Sequence, residues 1–433
     1  MPTLPSPHRQ ARQRRRWTLL LLLACLGLVL VLHASRGWIW LGVPAVDAAR
    51  TPFSDALIHL ATPVNCLDGH GQWHGRTCFI PDREAVPRAQ TWEPWLSFAR
   101  LGLDTEVRAL AVAWLTVLLF CLAWARVLSP ASAGEALLGL VLFATAAVQL
   151  AVERANFDLL VAALLCAAAA ALARPGVPGA LAGSALLAAS TVLKLYTGAA
   201  CAFAWLLARA PLRVTVPACL LALATAIAVV GPQELLVLAG GAPEGATRFS
   251  TGARWLFGQA GPAWGWAGVA TGVLAAIATL AWLRPGPAPD PARWPRRLAA
   301  FQLSAMTALP LFLLKDSYDY RFVLWLPMAA LLVAWLRPGA VPARWRQAAG
   351  SGLALLGFVM AVELPASLLD RLADGDAATL AARAAGAAGL AKQFACWALW
   401  ALLAGLSLRL LELDWRARLA PRRGRPAATG RRP

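Results

Sequence analysis

From Trp17 almost to the C-terminus, the sequence is a succession of apolar blocks separated by short polar connections. A helix that crosses a bilayer needs about 20 mostly apolar residues, and many of these blocks approach that length. Hydrophobic residues make up 59% of the chain and charged residues 14%, whereas a soluble domain averages about 45–50% and about 25%. No stretch could form a sizeable water-soluble core, so the pattern predicts an all-α polytopic membrane protein.

The apolar blocks predict about twelve transmembrane helices, or ten or eleven if the short block at 197–209 is re-entrant. We expect a basic N-terminus at 1–16, a transmembrane domain at 17–411 that includes a long first loop at 36–106, and a basic tail at 412–433. The predicted spans are 17–34, 107–128, 136–152, 157–173, 179–195, 197–209, 213–231, 266–283, 298–314, 321–337, 348–364 and 386–411.

The charges predict the orientation of these spans. The connections assigned to the cytoplasm hold 24 of the 40 Lys and Arg residues but only four of the 22 acids, which is the positive-inside asymmetry. Both termini are therefore expected in the cytoplasm, in a multi-pass protein of the inner (plasma) membrane that contacts membrane lipids. The formal net charge of +18 follows from this topology, with a contribution from anionic lipid, and nucleic acid is not an expected partner.

Two of the eight cysteines lie in the loop at 36–106, and the other six lie in apolar spans. Cys66 and Cys78 would form a disulfide in an oxidising compartment. With His70 and His74 they also form an every-four spacing of residues that can bind zinc, although the neighbouring glycines disfavour a helix. We favour the disulfide over a zinc site or two free thiols, and we assign no metal and no cofactor.

Ionisable residues at the edges of apolar spans are costly and therefore mark candidate sites. Four such clusters fall on the same, non-cytoplasmic side of the predicted topology. The first contains Asp55 and His59, four residues apart, about twenty residues beyond the first span. Asp55 could act as a general base toward a hydroxyl group, and the alternative is that Ser54 or Asp55 caps a helix.

The second cluster combines Glu153, Arg154, Asn156 and Asp158 between two apolar helices. Three charges and an amide within six residues are unusual for a simple turn buried at membrane depth. The alternative is an interfacial loop in which Glu153 pairs with Arg154 and the side chains reach toward water.

The third cluster is Lys194 with Tyr196, at the end of a span that holds no other charge. The chain has only three lysines against 37 arginines, so a plain basic anchor would be expected to be arginine. The compact ammonium charge of a lysine suits a phosphate group, and the alternative is a lysine that only anchors the span at the interface.

The fourth cluster is the segment 315–321 between two apolar helices, which contains Lys315, Tyr318, Tyr320 and Arg321 together with Asp316 and Asp319. All three tyrosines of the chain lie in the third and fourth clusters, whereas the 20 tryptophans can supply the aromatic belt of a membrane protein. The tyrosine hydroxyls therefore indicate hydrogen bonding to a ligand, and a plain interfacial loop is the alternative.

Together, a base, several cations and phenolic donors beside lipid suit a phosphate-linked lipid substrate. The cytoplasmic connections contain no acidic cluster for a metal–nucleotide complex, no glycine-rich phosphate loop and no Rossmann pattern, which disfavours an enzyme that uses a nucleotide sugar.

The ordered motifs resemble those of glycosyltransferase family 87, over about residues 50–330. They are Phe-Ser-Asp after the first span, Glu-Arg-x-Asn-x-Asp, Lys-Leu-Tyr and Tyr-Asp-Tyr-Arg. Family members have the GT-C fold and transfer sugars from polyprenyl phosphates, many of them mannose. The sequence departs from the family pattern at Ala155, where glycine is frequent, and at Thr197, where proline is usual. The aromatic-proline signature of the family's first loop is not evident, and the segment Trp92–Trp95 is the candidate replacement.

The resemblance implies an inverting transfer of a hexose, mannose above all, from a polyprenyl-phosphate sugar to a lipid or glycan acceptor outside the cytoplasm. It implies that Asp55 is the catalytic base. The residues that match the other family motifs, which we expect to bind or support the donor phosphate, are Arg154, Asn156, Asp158, Lys194, Tyr196, Tyr320 and Arg321.

Two other functions use the same residues. A transporter or flippase for a lipid-linked sugar or another anion would need the cations but no bond breaking. A non-catalytic binder of polyprenyl lipids would bind the donor without turnover. Asp55 distinguishes the enzyme from both, because only an enzyme needs a base beside the donor phosphate.

Overall fold

The computed structural model describes residues 6–41, 43, 77–78, 86–87, 106–230, 250–251, 262–314, 317–362, 364–365 and 380–419. The predictions for Asp55, His59 and Lys315 lie outside these residues. The same is true of the predicted pairing of the Cys66 and Cys78 side chains.

Within the described ranges the protein consists of α-helices joined by turns and 3₁₀ segments. The helices are α1 (Pro7–Ser35), α2 (Glu106–Leu128), α3 (Ala133–Phe143), α4 (Ala146–Glu153), α5 (Asp158–Leu172), α6 (Val177–Leu193), α7 (Gly198–Phe203), α8 (Leu212–Val230), α9 (Pro262–Leu283), α10 (Pro295–Leu314), α11 (Leu326–Trp335), α12 (Ala343–Ala361) and α13 (Leu380–Leu419). The 3₁₀ segments are Gly37–Leu41, Leu195–Thr197, Ala204–Leu206, Pro291–Arg293 and Asp319–Leu324.

Two short antiparallel strand pairs complete the described elements. Strand β1 (Thr77–Cys78) pairs with β2 (Val86–Pro87), and β3 (Ser250–Thr251) pairs with β4 (Ser317–Tyr318). Each strand has two residues, so the architecture is helical.

By length and composition, five described helices can cross a membrane, and six can if α3 and α4, bent by 62° to each other, form one broken span. Four further apolar segments of 10–17 residues are shorter than a span: Asp158–Leu172, Val177–Leu193, Leu195–Leu206 and Leu326–Trp335. Every predicted span overlaps a helix, which is consistent with a membrane protein, while the number of twelve spans stays a prediction.

The first and last helices extend beyond the predicted spans. Helix α1 begins at Pro7, where the Ser6 side chain accepts a hydrogen bond from the Arg9 amide at 3.4 Å, so most of the basic N-terminus is helical. Helix α13 runs past residue 411 to Leu419. Ion pairs four residues apart, at 2.5 Å each, stabilise this extension: Arg416 with Glu412 and Arg418 with Asp414.

The core lies around α5 and α11. All ten residues of α11 are buried, and the helix packs against α2, α10 and α12. Helix α5 packs against α2, α6 and α10, and its many alanines allow this close approach. Because α5 lies inside the bundle, the polar residues at its first turn lie among other helices.

At the end of α5 that carries Leu172, two arginines link the loops between neighbouring helices. Arg337 forms a bidentate ion pair with Glu135, with nitrogen–oxygen distances of 2.5 and 2.7 Å. Arg297, which is 7% exposed, donates to the carbonyl oxygens of Leu128 and Ser129 at the end of α2. The candidate functional residues lie at the opposite end of α5.

Candidate functional site

Asp158 is the first residue of α5, and its side chain is completely buried. The Asn156 side-chain oxygen accepts a hydrogen bond from the Asp158 amide at 2.9 Å, a local turn that fixes the start of the helix. Ala155, which precedes Asn156, has a left-handed backbone with φ of 46°. The chain thus reverses tightly between α4 and α5 and leaves the Asp158 carboxylate inside the bundle.

Three side chains from two other segments surround this carboxylate. The Tyr196 hydroxyl donates a hydrogen bond to Oδ1 of Asp158, and Nζ of Lys194 lies 3.8 Å from the same oxygen. Nε of Arg321 lies 3.9 Å from Oδ2, and its guanidinium carbon lies 5.9 Å from the centre of the Tyr196 ring. These four residues form the Asp158 cluster, which unites the second, third and fourth sequence clusters.

The two cations of the Asp158 cluster remain accessible although their acid does not. The side chains of Lys194 and Arg321 are each 22% exposed, whereas that of Asp158 is 0% exposed. The 3.8 and 3.9 Å separations exceed the 2.7–3.2 Å range of a hydrogen bond. Asp158 therefore attracts both cations from the inside without a direct hydrogen bond to either of these two atoms. With two cations and one carboxylate, the cluster carries one net positive charge.

A second ion pair lies beside the cluster, between Asp319 and Lys392. The side chains are 1% and 0% exposed, and the contact joins the 3₁₀ segment Asp319–Leu324 to α13. Asp319 precedes Arg321 by two residues, so this pair fixes the segment that carries one of the cluster's cations.

Sequence reasoning missed Lys392, although a signal was present. It is the third of three lysines in a chain of 37 arginines, and it lies inside a predicted span. The same rarity singled out Lys194, and it applies equally to Lys392.

The other predicted residues lie near the cluster by position in the chain. Glu153 ends α4 and Arg154 follows it, both with half-buried side chains. Tyr318 pairs through its backbone with Ser250, and Tyr320 precedes Arg321 in the 3₁₀ segment. Contacts of these four residues with a ligand stay predictions. Among the residues that the structure describes, no group of three His, Cys, Asp or Glu side chains could hold a metal ion.

Comparison with known proteins finds no family model, no curated protein and no solved structure that matches this chain. The resemblance to glycosyltransferase family 87 therefore stays a prediction from the ordered motifs, and the chemical argument depends on the Asp158 cluster.

Proposed function

We propose that this protein is a membrane glycosyltransferase with about twelve spans and a GT-C-like fold. It would transfer a hexose, mannose above all, from a polyprenyl-phosphate donor to a hydroxyl group of a lipid or glycan acceptor outside the cytoplasm. The observation that supports the proposal is the Asp158 cluster, in which a buried carboxylate holds two partly exposed cations beside a tyrosine.

Charge balance favours a phosphate as the ligand of this cluster. A sugar-linked polyprenyl phosphate carries one negative charge, which matches the net charge of the four residues. When the sugar leaves, the phosphate gains a second negative charge. Cations already held in place stabilise that developing charge without having to reorganise, so Lys194 and Arg321 would lower the barrier to sugar transfer.

The bond changes can be written completely with Asp55 as the base. Asp55 takes the proton of the acceptor hydroxyl, and the hydroxyl oxygen attacks the anomeric carbon of the sugar. The bond between that carbon and the phosphate oxygen breaks, and its electron pair leaves with polyprenyl phosphate. Attack from the face opposite the leaving group inverts the anomeric configuration.

The test compares purified wild-type protein with Asp55→Asn, Lys194→Gln and Arg321→Gln. Each is incubated with radiolabelled polyprenyl-phosphate mannose or glucose and a membrane lipid extract. We expect transfer by the wild type and loss of transfer in Asp55→Asn with donor binding retained. Loss of one phosphate-stabilising cation should lower kcat by about 10²–10³-fold, as for other groups that stabilise developing charge. The control is Arg213→Gln, at an exposed position in α8, which should retain wild-type activity.

Other outcomes would assign a different role. Transfer that survives in Asp55→Asn would keep the enzyme but exclude Asp55 as the base. Donor binding that depends on Lys194 and Arg321, without transfer by any variant, would instead support the flippase or the non-catalytic binder.

A further inference from the structure

An apolar groove of about 410 Å³ lies between α2, α5 and the first turn of α10. Its lining residues on α2 fall between Leu119 and Val127 at spacings of three and four, so they form one face of the helix. The facing side of α5 presents Ala163, Ala167 and Ala170. These short side chains leave open the space that larger residues would fill.

Three arginines line one end of this groove: Arg126, Arg174 and Arg296. All three are exposed, and none forms an ion pair or side-chain hydrogen bond within the part of the chain that the structure describes. Arg297 and Arg337, in the same region, instead bind carbonyl oxygens and Glu135. The groove therefore combines an apolar channel with three guanidinium groups that lack an acidic partner in the described chain.

The arginine end of this groove is remote from the Asp158 cluster. Helix α5 rises about 21 Å between Asp158 and Leu172 at 1.5 Å per residue, and Arg174 lies two residues beyond its end. In the predicted orientation the arginine end faces the cytoplasmic leaflet, where anionic lipids concentrate. Basic pockets between transmembrane helices on that side are suited to lipid phosphates.

We propose that the groove binds an anionic phospholipid of the membrane. The three arginines bind its phosphate, and one acyl chain lies along the apolar faces of α2 and α5. Guanidinium groups suit this role because they donate two parallel hydrogen bonds to a phosphate. An apolar chain is the complement to a groove lined by leucine and alanine, and a free phosphate would leave that surface without a partner. This site does not depend on the proposed sugar transfer.

The test measures lipid binding to the purified, delipidated protein in a neutral detergent. Phosphatidylglycerol and phosphatidylcholine with identical acyl chains are added separately, and bound lipid is counted by native mass spectrometry while Tm is followed. We expect phosphatidylglycerol, but not phosphatidylcholine, to bind and to raise Tm. The triple variant Arg126→Gln, Arg174→Gln, Arg296→Gln should weaken binding by about tenfold or more, because charge-assisted hydrogen bonds are lost.

Two further variants separate the groove from general surface charge. The control removes three other exposed arginines, by Arg12→Gln, Arg213→Gln and Arg346→Gln, and should bind phosphatidylglycerol as the wild type does. Ala167→Phe keeps every arginine but fills the groove, so it should abolish lipid binding. Because Ala167 is exposed, the larger side chain should not disturb the fold.

Three results would overturn the proposal. Equal loss of binding in both triple variants would mean unspecific attraction of lipid to a basic surface. Equal stabilisation by glycerol phosphate would show an anion site without a lipid chain. Displacement of phosphatidylglycerol from the wild-type protein by equimolar polyprenyl phosphate, which the Arg126, Arg174, Arg296 variant fails to bind, would show that the carrier lipid is the occupant.

Discussion

Asp158 is a carboxylate that is fully buried, and burial of a charge costs free energy. A charge removed from water is stable only when it is paired and hydrogen-bonded. Here the Tyr196 hydroxyl and two nearby cations supply that compensation. Because the acid is fully buried and the cations are not, the favourable direction for a ligand is the outer side of Lys194 and Arg321. The cost of burying Asp158 thus explains how both cations are held in one place.

The ion pair between Lys392 and Asp319 provides a test at a single contact. Lys392→Met removes the ammonium group that pairs with the buried Asp319 carboxylate, which should lower the free energy of unfolding by about 3–5 kcal/mol. Adding Asp319→Asn also removes the carboxylate charge of that pair, so the double variant should recover most of the loss. Unfolding is measured by heat or by titration with a denaturing detergent.

Arg383→Met is the matched control for this pair, because it removes an exposed cation from the same helix. It should change stability by less than about 0.5 kcal/mol, as surface substitutions commonly do. If the double variant were as unstable as Lys392→Met, the contribution of Lys392 would come from packing and not from its charge.

Ala155 is held in a backbone conformation that suits glycine. With φ of 46° it lies in the left-handed region, which costs a residue with a side chain about 1–2 kcal/mol. Ala155→Gly should therefore maintain or raise Tm. The same substitution at Ala151, inside α4, should lower stability by about 1 kcal/mol, because glycine is a poor helix former. Equal destabilisation at both positions would contradict strain at Ala155.

Helices α9 and α13 approach closely at glycines, which is a property of the pair of elements. A Cβ atom added to Gly405 would lie 2.8 Å from the carbonyl oxygen of Ala276 and 2.6 Å from Cβ of Thr279. A backbone oxygen cannot move aside as a flexible side chain can. Gly405→Ala must therefore push the two helices apart, and we expect a loss of about 1–3 kcal/mol from overpacking.

Gly389, on the same helix, supplies the control for Gly405. A Cβ atom there would meet nothing within 4 Å, so Gly389→Ala should stabilise α13 by about 0.5–1 kcal/mol through helix propensity. The measurement is thermal unfolding of both variants in the same detergent. We expect Tm to fall for Gly405→Ala and to rise for Gly389→Ala. A stabilising effect of Gly405→Ala would mean that α9 and α13 are not in close contact there.

The sequence predicted the elements better than their junctions. Each predicted span overlaps a helix of the structure, because burial and membrane insertion both require runs of apolar residues. The 62° bend between α3 and α4 escaped notice, because it lies at Ala144 and Thr145 with neither glycine nor proline to mark it. The start of α1 at Pro7 was also missed, since its first turns are basic and not apolar.

For residues far apart in the sequence, the predicted topology could indicate only that they lie on the same side of the membrane, not that they are in contact. The predicted topology places Asp158, Lys194 and Arg321 on one side, and the structure brings Lys194 and Arg321 within 4 Å of the Asp158 carboxylate. The 162 positions between Asp158 and Arg321 carry no local pattern that would reveal the contact. The pairing of Asp319 with Lys392 was inaccessible for the same reason, because it depends on where α13 packs.

At the scale of the whole molecule, α5 separates two kinds of charge. At its first turn, the buried Asp158 carboxylate lies beside two partly exposed cations, Lys194 and Arg321. Near its last turn, Arg126, Arg174 and Arg296 are exposed. The rise of about 21 Å along α5 covers most of the roughly 30 Å thickness of the hydrocarbon core. We therefore predict that the two groups lie near opposite interfaces, with the exposed arginines on the cytoplasmic side.

This orientation predicts which inserted cysteines a membrane-impermeant maleimide can reach in intact cells. The starting protein carries Cys66→Ser and Cys78→Ser, because the other six cysteines are buried. Asp290→Cys, in the connection between α9 and α10 at the arginine end, should react only after the cells are permeabilised. Glu244→Cys, in the segment between α8 and α9, should react at once. The reverse pattern would place the Asp158 cluster on the cytoplasmic side, where a donor sugar outside the cytoplasm could not reach Lys194 and Arg321, so it would also contradict the proposed transfer reaction.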